Sequence, residues 1–534
     1  MFVPLLISSL TGVVSMMPSF EERIKKLSVA QIEKDFQITV NPLDIKVDTP
    51  PSEEMGDVAL PLGFLLAKTL RKKPFDIVSD LSVSFAKLPE FSKAEPAMPG
   101  FLNLTLSLDF IHEITKDILF NPGAFDFAPQ DKTIFLEYVS ANPTGPLHIG
   151  HGRWAALGDS LARLLKQIGY PVIQEFYVND AGNQIENLTR TVEALKAGKP
   201  VPENGYHGVY IQDALKSDLE PKEYFLEQQK NTLKDFRVVF DSYFSEKSLH
   251  DSGVIPDAIA LLKTHGHIYE LEGALWFKST EFGDDKDRVL IKTDGNYTYF
   301  APDIAYHLTK IQRGGDWLID ILGADHHGYV KRLTAAVLAL SDKKAKLDIL
   351  IGQLVSLYRG GEPVRMSKRT GDMITLQEVI DEIGADALRY ILVSKRHTQT
   401  IDFDMEEVKK QNKDNPVFYI QYAFARINSI LKKIESMPDL NAVPFTSLEP
   451  SERKLLLAAA RFKDEIYYAA TGLEPHRLAN YLLDMAGYFH SFYEKNRVID
   501  KDELIAYRLL IIQTAAKVLE GGLSLLGIHS PQKM

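Results

Sequence analysis

The stretch from residue 132 to residue 180 admits few architectures. KTIFLEYVS (132–140) has the apolar character of a buried strand, and PTGPLHIGHG (143–152) is a turn rich in proline and glycine. RWAALGDSLARLLKQIGY (153–170) then carries apolar residues at helical spacing up to Gly169, and PVIQEFYVND (171–180) is a second strand with another helix after it. Strand, helix and strand in this order pair in parallel through a right-handed crossover. Strand-like runs return at DWLIDILGAD (316–325) and KLDILIGQLV (346–355), with a helix between them. The expected fold class is α/β: a doubly wound parallel sheet of nucleotide-binding type, interrupted by a largely helical insertion over about 182–270.

At 534 residues the chain is too long for one core. A helix from Pro18 to about Lys34 (apolar at Phe20, Ile24, Leu27 and Ile32) opens the N-terminal part. A strand and turn in FQITVNPLDIKVDTP (36–50), a Gly-Asp turn and apolar helix in EMGDVALPLGFLLAK (54–68), and an alternating strand in PGFLNLTLS (99–107) follow. This mixture makes residues 18–112 an N-terminal α+β domain, ahead of the catalytic domain at 113–400. After the linker IDFDMEE, residues 401–534 read as an all-α helical bundle. The apolar residues 1–17 lack the basic segment of a secretory signal, the arginines of a transit peptide and the uninterrupted length of a membrane span, and Met16 or Met17 is an alternative start. No later segment reaches spanning length, so a cytoplasmic protein without a membrane partner is expected. Cysteine is absent, which removes disulfides, thiol catalysis and cysteine-bound zinc. The net charge of −11 argues against a wholly basic surface but leaves room for local basic patches.

Two elements carry phosphate chemistry. In PTGPLHIGH, Pro143 and Gly145 shape a tight turn, and Gly150 lets backbone approach a ligand at a helix N-terminus. His148 and His151 are placed to donate to the phosphates of ATP. More than two hundred residues later, VRMSKRTG (364–371) follows a strand and a Gly-Gly turn, and its Ser367 and Lys368 suit the phosphates and the leaving pyrophosphate. Either element alone is equally a pair of surface histidines or a solvated basic loop. Their order in one chain, each beside a strand, points to a nucleoside triphosphate.

The two elements resemble the HIGH and KMSKS signatures of class I aminoacyl-tRNA synthetases. The sequence is further similar to the arginyl-tRNA synthetase family along nearly its whole length, through EMGDVALPLGFLLAK, PGFLNLTL, LEYVSANPTGPLHIGHGR, YTYFAPDIAYH, GADHHGYVKR, RMSKRTG, GADALRY, NPVFYIQYAFARI and LGIHSPQKM. The resemblance implies that arginine is activated with ATP, Mg²⁺ accompanying the nucleotide and no protein-bound zinc, and is then passed to tRNA(Arg). It assigns the guanidinium to Tyr299, Asp303 and Glu246, and the α-amino end to Glu137 and Asn142 with His148 adjacent. Tyr299 and Asp303, four apart, share a face if helical. His326 stands where some relatives carry glutamine. For tRNA the resemblance points to Phe101 and Asn103, whose alternation with buried positions leaves an aromatic and an amide free, and to Tyr419, Gln421 and Arg426 on one helix. Tyr422 and Arg426, at i and i+4, can stack on each other. It also implies a monomer. A small-molecule nucleotidylyltransferase shares the HxGH loop but lacks a long helical tail. A non-catalytic RNA-binding relative would not be expected to keep His148, His151, Asp303 and Lys368.

Overall fold

The computed structural model of the chain describes residues 17–364, 374–410, 412–500 and 503–534. The expectations for residues 1–16 and for the RMSKRTG loop, with Ser367 and Lys368, lie outside them. Near the N-terminus β1 (Val58–Leu60), β2 (Phe91–Ala97) and β3 (Phe101–Leu106) form an antiparallel sheet in the order β1-β3-β2. The helices Phe20–Phe36, Leu62–Leu70 and Pro74–Phe85 accompany it. The strand expected within 36–50 is absent: the segment carries a short 3-10 turn at Pro42–Asp44 and one bridge, Asp48 to Ala59. It buries Val40, Ile45 and Val47 as a strap instead, and Pro42, which has no N–H to give a ladder, opens the 3-10 turn within it.

The chain then runs through β4 (Ile134–Glu137), the helix Ile149–Gln167, β5 (Val172–Val178) and β6 (Ser242–Ser245). A small antiparallel sheet of β7 (Ile268–Leu271), β8 (Ala274–Phe277) and β9 (Arg288–Ile291) comes next, followed by β10 (Trp317–Gly323) and β11 (Lys346–Gly352). The central sheet has the order β11-β10-β4-β5-β6 and is parallel throughout. The chain therefore starts in the middle, winds outward to β6, and crosses back to β10. The reversal between β4 and β10 opens a crevice at the carboxyl ends of those strands. The insertion differs from the expectation at its end: β6 lies inside the range read as helical, yet it is an edge strand of the main sheet. Its four residues, SYFS, are too few for periodicity to reveal.

Beyond the central sheet, β12 (Val355–Arg359) pairs with β13 (Glu362–Pro363) and, in parallel, with β14 (Ile401–Asp404). IDFD is thus a strand rather than a linker, and the helical region begins after it. Its long helices are Pro416–Leu431, Pro450–Ala460, Phe462–Thr471, Pro475–Lys495 and Ala506–Leu525. No helix among the described residues is long and apolar enough to cross a membrane.

Candidate active site

The chain leaves β4 through a strained turn. Ser140 N–H donates to the Tyr138 carbonyl at 3.0 Å, and Val139 and Ser140 sit at φ +70° and +41°. A β-branched residue in that region costs on the order of 1–3 kcal/mol. The turn puts the Ser140 hydroxyl where it donates to Glu137 Oε1 (2.9 Å) and accepts from Tyr177 N–H (3.2 Å). Asn142 is held at both ends, donating to Gln184 (2.7 Å) and accepting from Asn179 (3.2 Å). Gln229 donates to the carbonyls of Asn142 and Gly145 at 2.9 and 2.8 Å. Pro143 and Gly145 are buried in this turn, Gly145 beneath the Tyr210 ring.

The turn delivers His148 as the cap of the helix Ile149–Gln167. His148 Nδ1 accepts from Gly150 N–H at 3.1 Å, and His151 Nδ1 accepts from His148 N–H at 3.2 Å. Since each Nδ1 is an acceptor, the proton of the neutral ring sits on Nε2, which makes that nitrogen a donor. The rings stack with centroids 3.8 Å apart. A Cβ on Gly150 would lie 2.9 Å from His148 Cε1, so the stack requires glycine there.

Beside the turn a row of carboxylates crosses the sheet. Asp320 of β10 lies opposite Glu137 of β4, which lies opposite Glu175 of β5. All three are buried. The helix Phe300–Gln312, with its cap residue Arg313, answers them from one face. Lys310 Nζ donates to Glu137 (2.6 Å) and Asp320 (2.8 Å), and Arg313 grips Glu175 with both amino groups at 2.5 and 2.9 Å. His307 Nε2 reaches Asp320 at 2.8 Å, and Tyr306 donates to Glu175 at 2.9 Å. Burial works against every one of these charges. The pairing overcomes it: Lys310 is held above its ordinary value by Asp320 and Glu137, Asp320 below by Lys310 and His307, and Glu175 below by Arg313 and Lys310.

Asp303, one turn before His307, is different. Burial, with Glu137 and Glu246 nearby, pushes its carboxyl up to about 7, although His307 pulls the other way. Glu246, at the end of β6, is raised by burial and by Asp180. Among the described residues neither Asp303 nor Glu246 joins a salt bridge. Tyr177, Phe244 and Tyr306 wall the space, Tyr306 lying 4.6 Å from Tyr177 and 4.8 Å from Phe244. Burial and the carboxylates of Glu246 and Asp303 raise the Tyr177 hydroxyl far above its usual range. The result is a cluster of aromatic rings beside two acidic side chains, a setting that suits a cation.

Two residues expected here stand apart. Tyr299 precedes the helix, which starts at Phe300, and is 90% exposed, so it does not share the buried side of Asp303. His326 follows β10 on the 3-10 turn Ala324–Tyr329, half-exposed, 3.4 Å from Asp325 and packed near Tyr329. Lys310, Asp320, Glu175, His307 and Arg313 were not foreseen. A signal existed: IFLE, VIQEFYV and WLIDILG are strands that each carry a single acid among apolar residues.

The expected RNA-contacting residues fare unevenly. Asn103 is buried in the central strand of its sheet, contrary to the free amide that alternation suggested, while Phe101 is partly exposed against the Phe64 ring edge at 5.5 Å. Gln421 is also buried, donating to Asp386 and the His529 carbonyl, both at 2.9 Å. Tyr419 packs on His490 (4.3 Å), and Arg426 lies over Tyr422 and Tyr493, which confirms the i,i+4 stack.

Comparison with known proteins accounts for most of the length. The arginyl tRNA synthetase N terminal domain matches residues 19–106, and the catalytic domain of class I (R) tRNA synthetases matches 115–238 and 222–429. The DALR anticodon binding domain matches 420–534. An arginine–tRNA ligase of Desulforudis audaxviator is 43% identical over 530 residues, covering 91% of this chain and 93% of that protein. One from Shouchella clausii is 41% identical, covering 92% and 94%. The structure of Thermus thermophilus arginyl-tRNA synthetase superposes with a TM-score of 0.78 at 23% identity, covering 96% of this chain and 100% of that one, a likeness of fold. With the domain models and relatives at 41% and 43% identity in agreement, the chain belongs to the arginyl-tRNA synthetase family, in class I of the aminoacyl-tRNA synthetases.

Proposed function

We propose that the chain is an arginine–tRNA ligase. It would activate L-arginine with ATP to arginyl-adenylate and pyrophosphate, then transfer the arginyl group to the 3′-terminal ribose of tRNA(Arg) for protein synthesis. The observation that carries this reading is the pair Asp303 and Glu246, partly buried carboxylates without a salt-bridge partner among the described residues. A guanidinium offers both carboxylates a planar fork of five donors in fixed geometry, whereas an ammonium presents three donors from a single point and lacks the bidentate match. Tyr299 and His326, at the rim, would close on the side chain once it is bound, and Glu137 and Asn142, with His148 beside them, would meet the α-amino end.

An oxygen of the arginine carboxylate attacks the α-phosphorus of ATP, the bond to the β-phosphate bridge breaks, and pyrophosphate leaves. A ribose hydroxyl of the tRNA (the 2′-hydroxyl, by class I resemblance) then attacks the activated carbonyl and releases AMP. No nucleophilic side chain is needed, so rate comes from positioning and electrostatics. The Nε2–H groups of His148 and His151 would meet phosphate oxygens as charge develops, with Gly150 leaving them room. Lys368 and Ser367 would hold the departing pyrophosphate, and Mg²⁺ enters as part of the nucleotide substrate. Phe101, Tyr419 and Arg426 are the exposed or half-exposed candidates for tRNA contacts, and a cytoplasmic monomer completes the reading.

The test is charging of tRNA(Arg) with labelled arginine, lysine or citrulline. Arginine alone should be charged. Citrulline keeps the shape and loses the charge, so charging of citrulline or lysine at a comparable kcat/KM would overturn the assignment.

A further inference from the structure

Lys310 belongs to none of the sequence motifs, and its side chain is wholly buried. It nevertheless links the strand that carries Glu137 to the helix that carries Asp303. Its ammonium bridges Glu137 and Asp320, which are neighbours across β4 and β10. Asp320 is turned toward it by His307, whose other ring nitrogen lies 2.7 Å from the Asp303 carbonyl. One side chain thus touches Glu137 directly and reaches the Asp303 backbone through Asp320 and His307. In this layer the donors Lys310, His307 and Arg313 face the carboxylates Glu137, Asp320 and Glu175. Asp303 and Glu246 remain outside it, and neither joins a salt bridge among the described residues.

Glu137 is bound on both oxygens, by Lys310 on Oε2 and by Ser140 on Oε1. Each oxygen keeps a lone pair for a further donor. Without the lysine, Glu137 would lose one of the two donors that fix its carboxylate and would be held by Ser140 alone among these contacts, so its free lone pairs would no longer be aimed at one place. From this geometry we infer that Lys310 is a positioning residue for the substrate's α-ammonium, acting through Glu137, while Asp303 and Glu246 take the guanidinium. The inference rests on the proposed arginine specificity, and it adds that the two positive ends of arginine are recognised by carboxylates of different status, one pre-paired and the other unpaired.

The experiment compares the KM for arginine with the inhibition constant of argininic acid, in which a hydroxyl replaces the α-ammonium, in tRNA(Arg) charging. In Lys310→Met the KM for arginine should rise about tenfold or more, the scale of one charge-assisted hydrogen bond. The inhibition constant of argininic acid should move less than about threefold, because that ligand never used the Glu137 charge. Lys310→Met also leaves Asp320 with His307 as its one remaining partner among these side chains, so Lys310→Met/Asp320→Asn is made alongside. Removing both charges relieves that penalty, and the double variant should regain thermal stability while keeping the arginine-selective defect. Recovery of arginine KM together with stability in the double variant would overturn the inference, as would equal loss for the two ligands there or an unchanged ratio in either variant. Failure of the unmodified protein to charge arginine would instead sink the arginine reading itself.

Discussion

At Asp303, burial and the neighbouring carboxylates Glu137 and Glu246 oppose ionisation more strongly than His307 and Arg332 favour it, and the carboxyl titrates near 7. Because that value lies above the ordinary one near 3.9, the folded protein holds a proton on Asp303 that the unfolded chain has released between about pH 4 and pH 7. Ionising Asp303 therefore costs stability as pH rises through that window, and a bound guanidinium repays the cost. The KM for arginine should rise as pH falls below about 7, approaching tenfold per unit, and arginine binding near pH 6.5 should release protons into the buffer. A KM profile flat from about pH 5.5 to 8 would mean Asp303 is ionised throughout. His148 and His151 lie on the strand-to-helix turn that the motif marks, and Asp303 and Glu246 lie near enough to each other to interact electrostatically. Lys310 was illegible because its partner Glu137 lies 173 positions away, and no local pattern reports such a contact.

The helix Ile149–Gln167 and β4 meet where a Cβ on Gly158 would fall 2.3 Å from the Tyr138 ring. Tyr138 is itself anchored by a 2.8 Å bond to Gln174, so the ring cannot easily yield. Gly158→Ala should overpack this contact by about 1–3 kcal/mol, lowering the thermal midpoint. Tyr138 follows Glu137 directly, so the KM for arginine should rise too. An unshifted midpoint in a thermal scan would show that the helix moves aside. Long elements with a strong period were legible, this helix and β5 above all. Short ones were not: β1 has three residues, β6 and β14 four each, and each is a strand because a neighbouring edge was waiting for it. Those pairings belong to the sheet, and a window of sequence does not contain them.

Across the whole molecule, Arg389 ties separate parts together. Wholly buried, it donates to the carbonyls of Phe236 and Leu526 and to Asp159, joining the end of the insertion, the C-terminal segment and the helix that begins with the histidine turn. Arg389→Leu would take away the arginine's bond to the Phe236 carbonyl and leave the Leu526 carbonyl with only Ser160 at 3.5 Å and Asp159 with only Arg163 at 2.7 Å. A loss on the order of 3–5 kcal/mol is expected, read as a lower denaturant midpoint. A midpoint within error of the parent would show that water or Arg163 replaces the arginine.

The sequence by itself determined the parallel α/β core, the helical C-terminal region and the histidine turn, because periodicity and glycine-proline turns act over a few residues. It also carried the family, since motifs keep their order whatever surrounds them. Only the tertiary structure decided which carboxylates are paired and which are left for a substrate. Glu137, Glu175, Asp303 and Asp320 look alike along the chain. Their difference comes from burial and from Lys310, Arg313 and His307, which one helix lays across neighbouring strands. Electrostatic character at a site is set by distances in space, and those exist only once the chain has folded.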